Sequence, residues 1–318
     1  MHVVFQPNIN GMGHRIRCNT IARRIRQRQP SAKITFLLRS DDPVPADRWC
    51  DFQWVKGLVP RSKAILRADC LVHDGFWYSD FRTHLQSRRG SYLPISHPYG
   101  FPGDLTETVR CFERAARILV PWPRELFSWP DELARARSKV RLIDPVLTLP
   151  PVNSLPFPAR KKVYAVVSRR RSEAKTILSR LVGRLSSRLG PVDLVWSDAF
   201  VSQEVHWRNM LESSLIVSQG TGTTFEAMAL GIPRAILPLP EIDEQVRSAK
   251  SLAERGAAIH LDFWQDPDED IAARIAPLMI DGSERRLQVE SGRRLVGTEG
   301  SERAATAIIE LMTEGVAP

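Results

Sequence analysis

The chain has 318 residues, an apolar share of 43% and a formal net charge of +9. That length exceeds what one hydrophobic core ordinarily organises, so two domains are expected, and no run reaches the roughly 18–20 apolar residues of a membrane span. Cys18, Cys50, Cys70 and Cys111 are scattered without a C-x-x-C pair, which fits reduced, buried thiols in a cytosol better than zinc sites or disulfides.

Met1-His-Val-Val-Phe-Gln6 runs straight into a strand pattern, with no basic segment ahead of an apolar core, so no secretory leader is expected. His2–Gln6 reads as a buried strand and Gly13–Arg28 as an amphipathic helix with Ile16, Thr20, Ile21 and Ile25 towards one side. The cluster Arg23-Arg24-Ile25-Arg26-Gln27-Arg28 reads as the wet face of that helix. The basic residues, mostly Arg, form no single tract, so nucleic acid is not an expected partner. A solvated surface or a peripheral contact with anionic lipid accounts for them. Strand patterns recur at Ile34–Leu38, at Cys70–Asp74 with a terminal carboxylate, at Ser91–Ser96 and at Ile118–Val120.

The alternation breaks over Asp144–Pro158, whose five prolines read as a semi-rigid linker. It restarts with strands at Val163–Val167, Asp193–Trp196, Ser214–Val217, Ala235–Leu237 and Ala257–Leu261. Helices are expected over Ser172–Arg188, Thr223–Leu230 and Glu244–Arg255, and the tail from Asp268 is mostly helical. The expected architecture is α/β: two Rossmann-like, doubly wound domains, 1–148 and 149–318, facing across a cleft. The terminal helix is free to pack back on the first domain. Residues just beyond strand ends are therefore the ones to inspect.

One such place is Ser218-Gln-Gly220-Thr221-Gly222-Thr223-Thr224, which follows Leu215-Ile-Val217 and opens a helix closed by Gly231-Ile-Pro233. Two glycines allow close backbone approach, and a helix start offers unpaired N–H groups and a positive dipole end to an anion. Thr223 or Thr224 could cap the helix or meet a phosphate oxygen. Glu226, placed in the first turn, would oppose a bound anion unless turned aside, for example to a ribose diol. Taken alone, the pattern is equally an ordinary capped helix.

The stretch Leu215–Ala258 resembles the donor-binding half of GT-B glycosyltransferases, most closely the N-acetylglucosaminyltransferases of peptidoglycan synthesis. The likeness lies in the Ser/Gly turn, T-x-x-E, G-x-P, a strand ending in Pro, a Gln-bearing helix start and a terminal G-A-A. It implies that Gly220, Thr221, Gly222 and Thr223 line a diphosphate, that Glu226 takes ribose hydroxyls, and that Glu244 and Gln245 meet the donor sugar. Two glutamines are common there, and an asparagine is usual where this chain has Ser248, so the sugar is left open.

Near the N-terminus, Pro7-Asn-Ile-Asn10-Gly11-Met-Gly13-His14 is a second glycine turn before a helix, without the full G-x-G-x-x-G spacing of a dinucleotide site. A neutral His14 there can act as a general base, or be a hydrogen-bonded structural residue. Gly11-Met-Gly13-His14-x-x-Arg17-Cys18 resembles the first loop of GT-B transferases and, more closely, that of the UDP-sugar hydrolases of pseudaminic acid synthesis. The resemblance implies a catalytic His14. Arg17 either contacts phosphate or caps local structure, and Cys18 packs. Asp74 either orients His14 or polarises an acceptor, or caps the next turn. Pro98 follows His97 where the peptidoglycan enzymes carry a carboxylate, leaving Asp104 as a substitute. Arg169, in Ser168-Arg-Arg-Arg171, either neutralises a diphosphate or sits in an exposed basic loop.

No His/Cys ligand cluster implies a metal. The resulting expectation is a cytoplasmic, metal-independent, inverting transferase. A UDP-sugar would be co-substrate rather than cofactor, and the acceptor a small-molecule or lipid-linked hydroxyl. The alternatives are a hydrolase on the same fold and a non-catalytic nucleotide-binding scaffold.

Overall fold

A computed structural model describes residues 1–8, 12–38, 52–75, 91–96, 105–127, 129, 131–151, 158, 160–167, 172–197, 201–262 and 269–314. The chain divides into two units, residues 1–148 with 298–318, and residues 149–297. Each contains one sheet, and every strand pair in both sheets is parallel.

In the first unit β1 (His2–Pro7), α1 (Met12–Arg28), β2 (Lys33–Leu37), β3 (Gln53–Val55), α2 (Leu58–Leu66), β4 (Cys70–Asp74), β5 (Ser91–Ile95), α3 (Leu105–Arg114), β6 (Ile118–Val120) and β7 (Val140–Leu142) follow in order. The sheet runs β3-β2-β1-β4-β5-β6-β7. Alternate residues Val3 and Phe5 of β1, Cys70 and Val72 of β4, and Leu93 and Ile95 of β5 share a core with Cys18, Ile21, Ala22 and Ile25 of α1. The buried apolar stripe of α1 is thus those four residues, while Ile16 and Thr20 are only partly buried. Thr20 lies at the edge because its hydroxyl bonds the Ile16 carbonyl and Thr148.

The second unit holds β8 (Lys162–Val166), α4 (Ser172–Leu189), β9 (Asp193–Trp196), α5 (Gln203–Leu211), β10 (Leu215–Ser218), α6 (Gly222–Leu230), β11 (Arg234–Ile236), α7 (Asp243–Glu254), β12 (Ile259–His260), α8 (Glu269–Ile275) and α9 (Ser283–Leu295). Its sheet order is β12-β11-β10-β8-β9. Val163 and Ala165 face Ile177, Leu178, Leu181 and Leu185 of α4, whereas Tyr164 between them joins Met210, Ile216, Ala227 and Leu230 on the other face. The period of two in β8 therefore sorts its side chains between two helical layers.

The last helix, α10 (Gly300–Glu314), belongs to the first unit and not to the second. Ala304, Ala305, Ala307 and Ile308 fill the α1 side of its core. Strand order reverses between β1 and β4 in one sheet and between β8 and β10 in the other, and crevices at such reversals are where open α/β sheets bind ligands.

Candidate functional site

At the first reversal β1 and β4 end side by side, with the Asn8 N–H donating to the Asp74 carbonyl at 2.7 Å. Asp74 is fully buried, and α1 brings two charge partners down onto it. Its Oδ1 lies 2.9 Å from His14 Nδ1 and 2.5 Å from Arg17 Nη2. Its Oδ2 accepts from Arg17 Nε at 2.7 Å and from Cys18 Sγ at 3.5 Å. His14, Arg17 and Cys18 reach one carboxylate because three and four residues make one helical turn. Burial alone would raise this carboxyl group, but the charges and hydrogen bonds of Arg17 and His14 outweigh it. They hold Asp74 well below the usual carboxylate range.

Arg17 Nη2 is also 3.0 Å from His14 Nδ1. A bare Nδ1 would set its lone pair against Asp74 Oδ1, so the proton belongs on Nδ1, and both groups donate to the same oxygen. Nε2 is then the lone-pair nitrogen, the one able to accept a proton. Gly75 makes room for this arrangement. Its φ is +104°, and a Cβ there would lie 2.5 Å from Asn8 Cβ and 3.1 Å from the His14 ring. Arg17, open between phosphate contact and local capping in sequence, is committed to Asp74.

Gly13 sits within α1, and a Cβ on it would meet nothing within 4 Å among the described residues. Gly11, His97, Asp104 and Arg169 lie outside the described residues.

At the second reversal β10 ends in Ser218, whose Oγ is 2.6 Å from Thr224 Oγ1. Thr224 thus fastens the start of α6 to the strand and does not cap it. Thr221 is the N-cap, and its carbonyl receives the Thr224 N–H at 2.8 Å. The N–H groups of Gly222 and Thr223 lie ahead of this first intrahelical bond, in the position that suits an anion. Gly220 has φ +87°, and a Cβ on it would come within 3.2 Å of the Gln245 carbonyl. Ser248 Oγ donates to the Gly220 carbonyl at 2.9 Å. The serine that replaces an expected asparagine therefore clamps α7 to the glycine turn.

Three residues expected to meet the donor have surroundings that the sequence does not indicate. Glu226 is the fifth residue of α6 rather than part of its first turn. That offset moves the carboxylate off the helix mouth, and its Oε2 lies 3.2 Å from His206 Nε2. Gln245 is buried and its Oε1 accepts from the Leu239 N–H at 2.9 Å. Glu244 beside it is also buried, at 7% exposure.

His206 and Tyr164 were not singled out in the sequence. A lone histidine in a mixed-polarity segment carries no motif, and the buried tyrosine reads only as a strand residue. Among the described residues no group of three or more His, Cys, Asp or Glu could hold a metal ion, and no helix is long and apolar enough to cross a membrane. Cys18, Cys70 and Cys111 are buried.

No protein-family model matches the chain. It is 30% identical over 109 residues to a UDP-N-acetylglucosamine–N-acetylmuramyl-(pentapeptide) pyrophosphoryl-undecaprenol N-acetylglucosamine transferase of Rubrobacter xylanophilus, covering 33% of this chain and 31% of the relative. A protein of the same name from Lacticaseibacillus casei is 28% identical over 103 residues, covering 31% of this chain and 28% of that one. The chain thus spans about a third of the length of these curated relatives.

Solved structures align over nearly all of it. The spinosyn forosaminyltransferase SpnP matches with a TM-score of 0.71 at 15% identity, over 98% of this chain and 99% of that one. Acinetobacter baumannii MurG matches at 0.66 and 14%, over 97% and 99%. A UDP-N-acetylglucosamine 2-epimerase from Listeria monocytogenes, described as putative, matches at 0.68 and 10%, over 100% and 98%. The chain has the two-sheet α/β fold of the GT-B glycosyltransferases.

Proposed function

We propose that this chain is a glycosyltransferase that moves a sugar from a UDP-sugar to a hydroxyl acceptor, with inversion and without a divalent metal. The observation that carries the reading is the His14–Asp74 pair at the β1/β4 reversal, a histidine tautomer fixed by a buried, ionised carboxylate. In this reading His14 Nε2 takes the acceptor hydroxyl proton as the oxygen bonds to the sugar carbon. Asp74 stabilises the resulting imidazolium. The bond from that carbon to the diphosphate oxygen breaks, and UDP leaves with the electron pair. The N–H groups of the Gly220–Thr223 turn receive the diphosphate, with Arg169 as a further cation. Glu226 takes the ribose hydroxyls, and Glu244 and Gln245 the sugar. The partial sequence likeness to transferases that carry UDP-N-acetylglucosamine in their names supports a UDP-sugar donor.

A specific observation favours a second reading, hydrolysis. Arg17 and Cys18, which carry the resemblance to UDP-sugar hydrolases, both bind the Asp74 carboxylate. In that case water replaces the acceptor. Incubation with a panel of UDP-sugars, with and without lipid-linked or soluble hydroxyl acceptors and with chelator present, separates the two. UDP release that requires an acceptor and survives EDTA is expected. Release in buffer alone would establish the hydrolase, and failure to bind any uridine nucleotide would exclude both. His14→Ala is expected to lower kcat by about 10²–10⁴ while sparing UDP affinity. Glu226→Ala is expected to weaken UDP binding about tenfold or more, from loss of a charged hydrogen bond.

A further inference from the structure

Glu226 does not stand alone on α6. The phenol of Tyr164, on β8, lies 2.9 Å from His206 Nδ1, and His206 Nε2, on α5, lies 3.2 Å from Glu226 Oε2. Three elements thus meet in a line of polar groups that ends on the carboxylate. The direction of that line follows from the chemistry of its ends. A carboxylate oxygen only accepts, so the imidazole proton must be on Nε2. Nδ1 then offers a lone pair, and the phenol donates to it. Burial first, and the Glu226 charge with it, raise the Tyr164 phenol above its ordinary value, so it keeps the proton it donates. Ser197 and Asn209 also hydrogen-bond the phenol, and Lys162 Nζ donates to Asn209 Oδ1 at 3.3 Å. The tyrosine ring itself is fixed in the apolar cluster with Met210, Ile216 and Ala227.

We propose that Tyr164 and His206 form a positioning relay that holds Glu226 by one oxygen, presents the other to the ribose diol, and thereby sets the preference of the donor site for ribonucleotides. The inference rests on the assignment of Glu226 to the ribose. Glu226 and His206 keep only 14% and 17% of their side-chain surface exposed, so the bond between them is shielded from competing water. Glu226 Oε1 carries no partner among the described residues. An unanchored glutamate would have to lose its rotamer freedom on binding, a cost that the relay meets during folding.

The test titrates wild type, His206→Ala, His206→Gln, Tyr164→Phe and Glu226→Ala with UDP and with 2′-deoxy-UDP by calorimetry. Wild type is expected to prefer UDP. His206→Ala should lower UDP affinity about 3–10-fold and leave 2′-deoxy-UDP nearly unchanged. His206→Gln, whose amide can still donate to Glu226, should recover part of the preference. Tyr164→Phe, which keeps the ring packing, should show a smaller loss in the same direction. With a UDP-sugar substrate the effect should fall on KM rather than kcat.

Wild-type preference in His206→Ala overturns the relay while leaving the Glu226 assignment intact. Equal weakening of both nucleotides also overturns it, because that marks a structural role. No preference in wild type, with Glu226→Ala binding both nucleotides normally, overturns the ribose assignment and the relay together.

Discussion

Asp74 owes its ionised state to two residues one helical turn apart, and its acid response follows. Its folded pKa lies below the ordinary value of 3.8, so the unfolded chain takes up the proton first as pH falls. The stabilisation is therefore complete well above pH 4 and is lost as pH drops through 3.8 towards the folded value. Asp74→Asn should flatten the pH dependence of Tm between about pH 5 and pH 3. At neutral pH it should cost about 2–4 kcal/mol. That is less than the ~3–5 kcal/mol of a fully buried broken pair, because His14 and Arg17 keep 22% and 18% of their side chains exposed. Thermal melts of both proteins across that range check the sign. An unchanged acid slope would mean that other carboxylates dominate.

Much of the site at this scale was legible in the chain. A strand ending in a carboxylate and a glycine turn leading to His14 are local patterns. The His14–Asp74 partnership is one of the alternatives the sequence offers, and local pattern cannot choose it because the two residues are 60 positions apart. Arg17 remained ambiguous for the same reason.

Elements that bury a continuous face were readable, and those that do not were missed. Strands such as β4 and β6 coincide with apolar runs. β3 and β7, three residues each, carry partly exposed residues and leave too little pattern to detect. α5 escaped notice because Gln203–Leu211 buries only Met210.

The packing of α9 on β11 was equally hidden, because it depends on a buried cation. Arg234 is fully buried and donates to the carbonyls of Ala257, Ile232 and Gln288. Burial and, second, the nearby Arg293 push its pKa down to about 9. The Gln288 side chain closes the contact by accepting from the Arg234 N–H at 2.9 Å and donating to its carbonyl at 3.2 Å. Gly292 on α9 is what lets the guanidinium fit, for a Cβ there would fall within it. Gly292→Ala should therefore displace α9 or strip hydrogen bonds from a buried charge, at roughly 2–4 kcal/mol. Urea titration should show a lower midpoint. A midpoint within error of wild type would mean that Arg234 repacks without cost.

At the scale of the whole molecule, the residues of the first unit are not contiguous. α10 supplies Ala304, Ala305, Ala307 and Ile308 to the core against α1 and β5. Polar contacts secure it: Arg117 donates to the Ala307 carbonyl at 3.1 Å and to Glu310 at 2.9 Å, and Arg28 donates to Glu302 at 3.3 Å. The entry to α10 lies on the backbone of Asp144 and Pro145, where Asp144 has a φ of +60° and Gly300 leaves no room for a Cβ. Residues 149–297, by contrast, form one unbroken segment with its own apolar clusters.

Removing residues 298–318 should therefore unfold the first unit and spare the second, because the apolar side of α1 loses its cover. In calorimetry the shortened chain should lose one of the full chain's unfolding transitions. A segment of residues 149–297 made alone should retain a cooperative urea transition, and residues 1–148 made alone should aggregate unless a 298–318 peptide is supplied. Retention of both transitions after truncation would show that α10 is dispensable to the sheet it covers. UDP binding by the 149–297 segment would place the nucleotide on the second sheet independently of the first.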